Sequence, residues 1–165
     1  MIFHINRATF KAGLSEEQRR AGLELMRQAG AANPAVKSYV VGPELGGEFQ
    51  YCAVYVVEDL DGYWAYLTHP AHVRSELGIP LIEKFAAIDV SDSDDPDLAE
   101  KIAALQARNF REHPEVAAVV AQAASFTVPD GSRSPEKIGS NQPEPGMPPR
   151  QTDAERHAHD DRNRH

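Results

Sequence analysis

Residues 1–91 are predicted to form an α+β domain in the order strand–helix–strand–strand–helix–strand, and three features of the sequence predict it. Short stretches rich in β-branched and aromatic residues alternate with period two, as strands with one covered face do. Two stretches with helical apolar spacing, each preceded by a capping residue, separate the first strand from the second and the third from the last. Glycine and proline punctuate the junctions between them.

The first strand covers residues 2–10 and ends at Lys11-Ala12-Gly13. Alternation places Ile2, His4, Asn6, Ala8 and Phe10 on one face and Phe3, Ile5, Arg7 and Thr9 on the other. Ser15 then caps a helix, with Gln18 three residues on completing a capping box. Gly30 ends this helix, whose Ala21, Leu25 and Ala29 fall on one stripe. Asn33-Pro34 turns the chain into a second strand at 36–41. A loop carrying Gly42-Pro43 and Gly46-Gly47 leads to a third at 51–57. There Tyr51, Ala53, Tyr55 and Val57 share one face, and Cys52, Val54 and Val56 the other. Asp59 or Asp61 caps a short helix through Tyr63, Trp64 and Leu67. Pro70 ends that helix or begins another, because proline is accepted in a first helical turn and not in an interior. Pro80 breaks the chain before the last strand, 85–90. The order is that of a ferredoxin-like fold.

Beyond it, residues 92–125 read as a helical extension. Asp92, Asp94, Asp95 and Pro96 form an acidic linker, and Asp97 starts a helix with Leu98, Ile102 and Leu105 on one stripe. Pro114 interrupts it before a second helical piece with Val116, Val119 and Val120. Residues 126–165 are proline-rich and polar, too poor in apolar groups to offset the entropy of ordering, and are expected to be disordered.

The chain has 165 residues, 41% of them hydrophobic, which suits one domain with additions. A net charge of −8 argues against a nucleic-acid partner, since phosphate binding needs clustered Lys and Arg. No stretch approaches the ~20 apolar residues of a membrane span, and the first residues lack a signal-peptide core, so a cytoplasmic protein with no membrane partner is expected. The single cysteine, Cys52, excludes an internal disulfide framework and a multi-cysteine zinc site. Phe3, Ile5, Cys52, Val54 and Val56 make a second apolar sheet face that a monomer would expose, and a homodimer would cover it.

Four landmarks carry a resemblance. They are His4 in the first strand, Phe10-Lys11 leading into Leu14-Ser15-Glu16-Glu17-Gln18, the Tyr-x-x-His-Pro-Ala-His run at 66–72, and the close at 80–85 with Asp89 in the last strand. On these the chain resembles the stress-responsive α/β-barrel family over residues 2–90. The resemblance implies two four-stranded sheets facing each other across a two-fold axis as a dimeric α/β barrel. The family includes a plant polyketide cyclase, which closes a linear thioester by an intramolecular aldol reaction. By position, its pocket histidine on the first strand corresponds to His4, and its tyrosine and second histidine to Tyr66 and His72. A further tyrosine on its first helix falls at Met26.

The resemblance therefore implies a pocket between helices and sheet. His72 is the expected base, Tyr66 the hydrogen-bond donor, and His4 a second acid–base or orienting group. Asn6, Tyr51, Tyr55, Met26 and His69 are the expected substrate contacts. A neutral imidazole can take a proton next to a carbonyl, and a phenol can donate to the oxygen on which charge develops. No cofactor is needed for such chemistry. Each residue also has a structural reading: His4 as a strand histidine bonded to backbone, His69 as a brace for the turn at Pro70, the tyrosines as core aromatics. His69 and His72 stand three apart, a spacing open to metal, but no third ligand accompanies them and no metal is assigned.

Three functions compete. One is a cofactor-independent enzyme acting on a small molecule by cyclisation, aldol-type condensation, isomerisation or elimination. Another is a non-catalytic, stress-associated dimer that binds a hydrophobic ligand. The third is an accessory domain whose C-terminal helices and tail recruit a partner protein.

Overall fold

The alternation of residues 2–10 builds the central strand, β1 (Ile2–Phe10), of a sheet ordered β2-β3-β1-β4-β5. The structure is a computed structural model that describes residues 1–121 and 126–127. After β1 come α1 (Glu16–Ala31), β2 (Ser38–Pro43), β3 (Tyr51–Val57), α2 (Leu60–Thr68), α3 (Pro70–Glu76) and β4 (Ile82–Ser91). The chain continues through α4 (Leu98–Glu112), α5 (Pro114–Ala121) and β5 (Phe126–Thr127). The first four strands are antiparallel, which makes the domain ferredoxin-like.

β1 buries Ile2, His4, Ala8 and Phe10, the face read from the sequence. The capping box of α1 is complete: the Ser15 hydroxyl accepts from the Gln18 N–H, and the Gln18 side chain accepts from the Ser15 N–H. The buried line of α1 differs from the expected stripe. It runs through Gly22, Ala29 and Gly30, while Ala21 is exposed. The two glycines explain the shift, because they seat rings rather than supply apolar area. A Cβ at Gly22 would lie 2.9 Å from the Phe10 ring, and one at Gly30 would lie 2.4 Å from the Tyr39 ring.

β2 begins two residues later than expected and runs on to Pro43, which an edge strand accepts. β4 begins at Ile82, three residues earlier, because Ile82 and Lys84 continue the pairing with Phe10 and Thr9. Pro70 begins a helix: His69 closes α2 and caps α3, its Nδ1 accepting from the Ala71 N–H.

The helical extension shares the domain's core. Ile102 of α4 is buried in one cluster with Ile2, Tyr55, Tyr63, Tyr66 and Leu67. The Arg108 guanidinium lies 4.0 Å over the Trp64 ring. Val116 of α5 is fully buried. Phe126 and Thr127, assigned to the polar tail from composition, pair parallel with Phe85 and Ala86 of β4, and the rest of the expected disordered tail lies outside the described residues. Among the described residues no helix is long and apolar enough to cross a membrane.

Candidate functional site

Sheet register sets the site. His4 stands opposite Tyr55 on one side and Asp89 on the other, on the face turned to the helices. The Asp89 carboxylate lies 2.8 Å from His4 Nδ1, so that nitrogen carries the proton and donates it to the carboxylate. Both side chains are almost wholly buried. Nε2 of His4 is left with a free lone pair.

Two further groups hold this pair. The Tyr63 hydroxyl lies 3.1 Å from His4 Nδ1 and donates to the other Asp89 oxygen at 3.4 Å. Gln106 of α4 donates through Nε2 to the Tyr63 hydroxyl at 2.7 Å and towards Asp89 at 3.5 Å. Burial, and then the charge of Asp89, push the Tyr63 phenol well above its ordinary pKa, so it stays a donor.

A cavity of about 80 Å³ opens beside His4. β1 lines it with His4 and Asn6, β3 with Tyr55 and α1 with Met26; α3 adds His72 and Glu76, and α4 adds Gln106 and Asn109. His72 Nδ1 donates to the Leu67 carbonyl at 2.9 Å, which leaves its Nε2 unprotonated. Burial pushes the His72 pKa down to about 3. Tyr66 packs edge-on against His72 with ring centroids 4.5 Å apart, and 5.6 Å from His4. Its hydroxyl is buried without a hydrogen-bond partner, and burial raises its pKa well above the ordinary value.

The structure thus brings His4, Tyr66 and His72 together, with Asn6, Tyr55 and Met26 beside them. Tyr55 spends its hydroxyl on the Met26 carbonyl at 2.8 Å. Tyr66, Tyr51 and His69 are not among the residues that line the cavity, although Tyr66 touches two that do. Tyr51 pairs with Ala8 further along the sheet and packs against Phe10, and the His69 imidazole is taken up as a helix cap. Among the described residues no group of three or more His, Cys, Asp or Glu is placed to hold a metal.

Asp89, Tyr63, Glu76, Gln106 and Asn109 stand at the site although the sequence alone does not single them out for it. Asp89 did leave a signal. It falls on the covered face of the last strand, where a carboxylate is rarely found unless paired.

Glu76 and His72 govern how stability follows pH. Glu76 faces His72 Nδ1 at 3.8 Å and feels Glu115, and burial first, then that like charge, raise its pKa from 4.5 to about 8. Between those values the unfolded chain releases a proton that the folded chain keeps, so stability falls as pH rises. His72 works the other way. Its folded pKa of about 3 lies below the ordinary 6.5, so its contribution is present above pH 6.5 and lost as pH falls. From pH 6.5 to 8 Glu76 outweighs His72, with a slope of at most about 1.4 kcal/mol per pH unit that falls as pH nears 8. Chemical denaturation should show a loss of about 1 kcal/mol across that window, absent in Glu76→Gln. A flat wild-type curve would mean that Glu76 is ionised in the folded protein.

The model of the Stress Responsive A/B Barrel Domain family matches residues 2–92, which is more than half of the chain. No curated protein matches the sequence. Among solved structures, a dimeric ferredoxin-like protein of unknown function from Thermobifida fusca is 26% identical. The match covers 55% of this chain and 89% of that one, with a TM-score of 0.49. A protein of Arabidopsis thaliana is 20% identical over 57% of this chain and 97% of its own, TM-score 0.50. The hydroxynitrile lyase of Passiflora edulis is 16% identical over 56% of this chain and 94% of its own, TM-score 0.50. At these identities the last two likenesses concern the fold alone.

Proposed function

The chain belongs to the stress-responsive A/B barrel domain family, and from that premise we propose that it is a cofactor-independent acid–base enzyme acting on a small carbonyl compound. The observation that carries this reading is the Asp89–His4 pair at the cavity wall: with Nδ1 bonded to the carboxylate, the lone pair of the neutral imidazole falls on Nε2. A carboxylate 2.8 Å behind Nδ1 fixes the tautomer and stabilises the imidazolium that forms on proton uptake.

In the proposed step His4 Nε2 takes the proton from a carbon next to the carbonyl, and the C–H electron pair moves onto the carbonyl oxygen as an enolate. Tyr66, still protonated at neutral pH, packs against His4 and His72 without lining the cavity itself, and its unpartnered hydroxyl can donate to that oxygen once substrate reaches between the two imidazoles. The enolate is then reprotonated, giving isomerisation, or attacks a second carbonyl of the same molecule, giving an aldol-type ring closure. His72 is assigned to hold substrate rather than to act as base. At a pKa of about 3 its Nε2 accepts hydrogen bonds but retains a proton poorly.

The test is exchange of substrate hydrogen with solvent. Short β-keto thioesters and 1,3-dicarbonyl compounds in D2O should lose the signal of the hydrogen between their carbonyls faster with the protein than in buffer, read by proton NMR. If such probes bind the cavity and exchange no faster, the domain is a binding module. The apolar part of the lining, with Met26, Leu67, Ile79 and Phe110, would then define its ligand.

A further inference from the structure

Asp89 is a buried carboxylate whose ionic partner among the described residues is His4, so the rest of its charge is met by hydrogen bonds. Its Oδ1 accepts from His4 Nδ1. Its Oδ2 faces the Tyr63 hydroxyl at 3.4 Å and Gln106 Nε2 at 3.5 Å, both long. The shortest contact of the cluster lies behind them, from Gln106 Nε2 to the Tyr63 hydroxyl at 2.7 Å.

The direction of that contact matters, because the Tyr63 hydroxyl has one hydrogen to give and three polar neighbours. Were Gln106 turned to offer Oε1, the hydroxyl would donate to it. The amide oxygen would then face the Asp89 carboxylate at 3.5 Å, and Oδ2 would lose both of its donors. With Nε2 turned inward, the Tyr63 oxygen accepts and its hydrogen remains for Asp89. Gln106 Oε1 has no partner of its own, so Tyr63 and Asp89 alone set the amide's orientation. The helix that brings Gln106 here is anchored on both sides of it. Ile102, one turn earlier, lies in the core cluster with Tyr63, and the Arg108 guanidinium stacks over Trp64 of α2, the helix that carries Tyr63.

We propose that Gln106 is a positioning residue for the Asp89–His4 base: its amide fixes the Tyr63 hydroxyl as a donor to Asp89 and so holds the carboxylate behind His4 Nδ1. Gln106 belongs to α4, beyond residues 2–92, so the acid–base pair of the shared domain is completed by this chain's own extension. A relay of this kind acts as a unit, each bond orienting the next. The inference rests on the proposed function for its effect on rate, and on the hydrogen bonding alone for its effect on the imidazole.

The experiment compares full-length variants by two readouts. One is the proton NMR signal of His4 Nδ1–H, identified by its loss in His4→Gln. The other is hydrogen exchange of a short β-keto thioester in D2O. Gln106→Met keeps the length and helix preference of the side chain and removes its donor. Gln106→Glu keeps the shape and turns an oxygen towards Asp89. Both should move the Nδ1–H signal and lower kcat for exchange by about tenfold with little change in KM. Tyr63→Phe, which keeps Gln106, should move the signal too. In that background Gln106→Met should cost less than about a further twofold, because its effect runs through the hydroxyl. Gln106→Met with wild-type signal and rate, or a loss that multiplies in full onto that of Tyr63→Phe, makes Gln106 a space-filling residue and overturns the proposal. A wild type that exchanges no probe removes the proposed function, and the Nδ1–H signal then decides the positioning by itself.

Discussion

Replacing His4 with glutamine lowers the rate of substrate hydrogen exchange by ~10²–10⁴-fold, the usual contribution of a general base, while the fold persists. Glutamine is the informative substitution because it still offers Asp89 a donor, whereas alanine would leave a buried carboxylate short of one. Asp89→Asn should lose rate in the same range. The amide no longer stabilises the imidazolium, and it can donate to Nδ1 and so move the imidazole proton to Nε2. Tyr63→Phe acts one step further out. It removes the hydroxyl that links Gln106 to the pair, so the loss should be smaller. His72→Ala discriminates the two histidines. If it abolishes exchange while His4→Gln keeps near-full rate, His72 is the base and the assignment is reversed. Melting curves of each variant separate lost chemistry from lost structure.

Local periodicity made the fold legible. The two faces of β1, the capping box at Ser15 and Gln18, and the proline opening α3 all follow from short-range rules that a single sequence carries. The buried line of α1 escapes apolar periodicity because a buried glycine does not register as apolar, yet Gly22 and Gly30 are where rings approach the helix. The site was half legible. His4, Tyr66 and His72 came from a resemblance confined to the domain, and their partners came from elsewhere. Asp89 meets His4 only through the register of β4 against β1, which alternation alone does not fix. Gln106 and Asn109 lie on α4 one and two turns beyond the buried Ile102. An apolar stripe that turns polar while staying on the buried side was a signal, and scanning only for apolar positions passes over it.

The outer face of the sheet makes the last prediction. Phe3, Ile5 and Val54 are half-buried there, and register places Val40 beside Val54, Ile88 beside Ile5 and Val90 beside Phe3. Val40, Ile88 and Val90 are 61%, 45% and 51% exposed. The arginine on this face is already neutralised. Arg7 makes two hydrogen bonds to the Glu44 carboxylate, at 2.8 and 2.6 Å, and lies over the Phe49 ring. The guanidinium holds Glu44 down at about pKa 2. An apolar face with its charge paired suits a second copy of the same face, and a stable pair covers ~800 Å² per partner. We therefore expect sedimentation at micromolar concentration to give twice the 18.1 kDa chain mass. Val54→Asp, which puts an unpaired carboxylate into the interface, should weaken the pair by about 3 kcal/mol, roughly a hundredfold in Kd. A wild type that sediments at 18.1 kDa throughout would overturn the pairing. The cavity lies on the opposite face of the sheet, so the Val54→Asp monomer should keep its exchange activity. If that activity disappears with the dimer, the partner supplies part of the site.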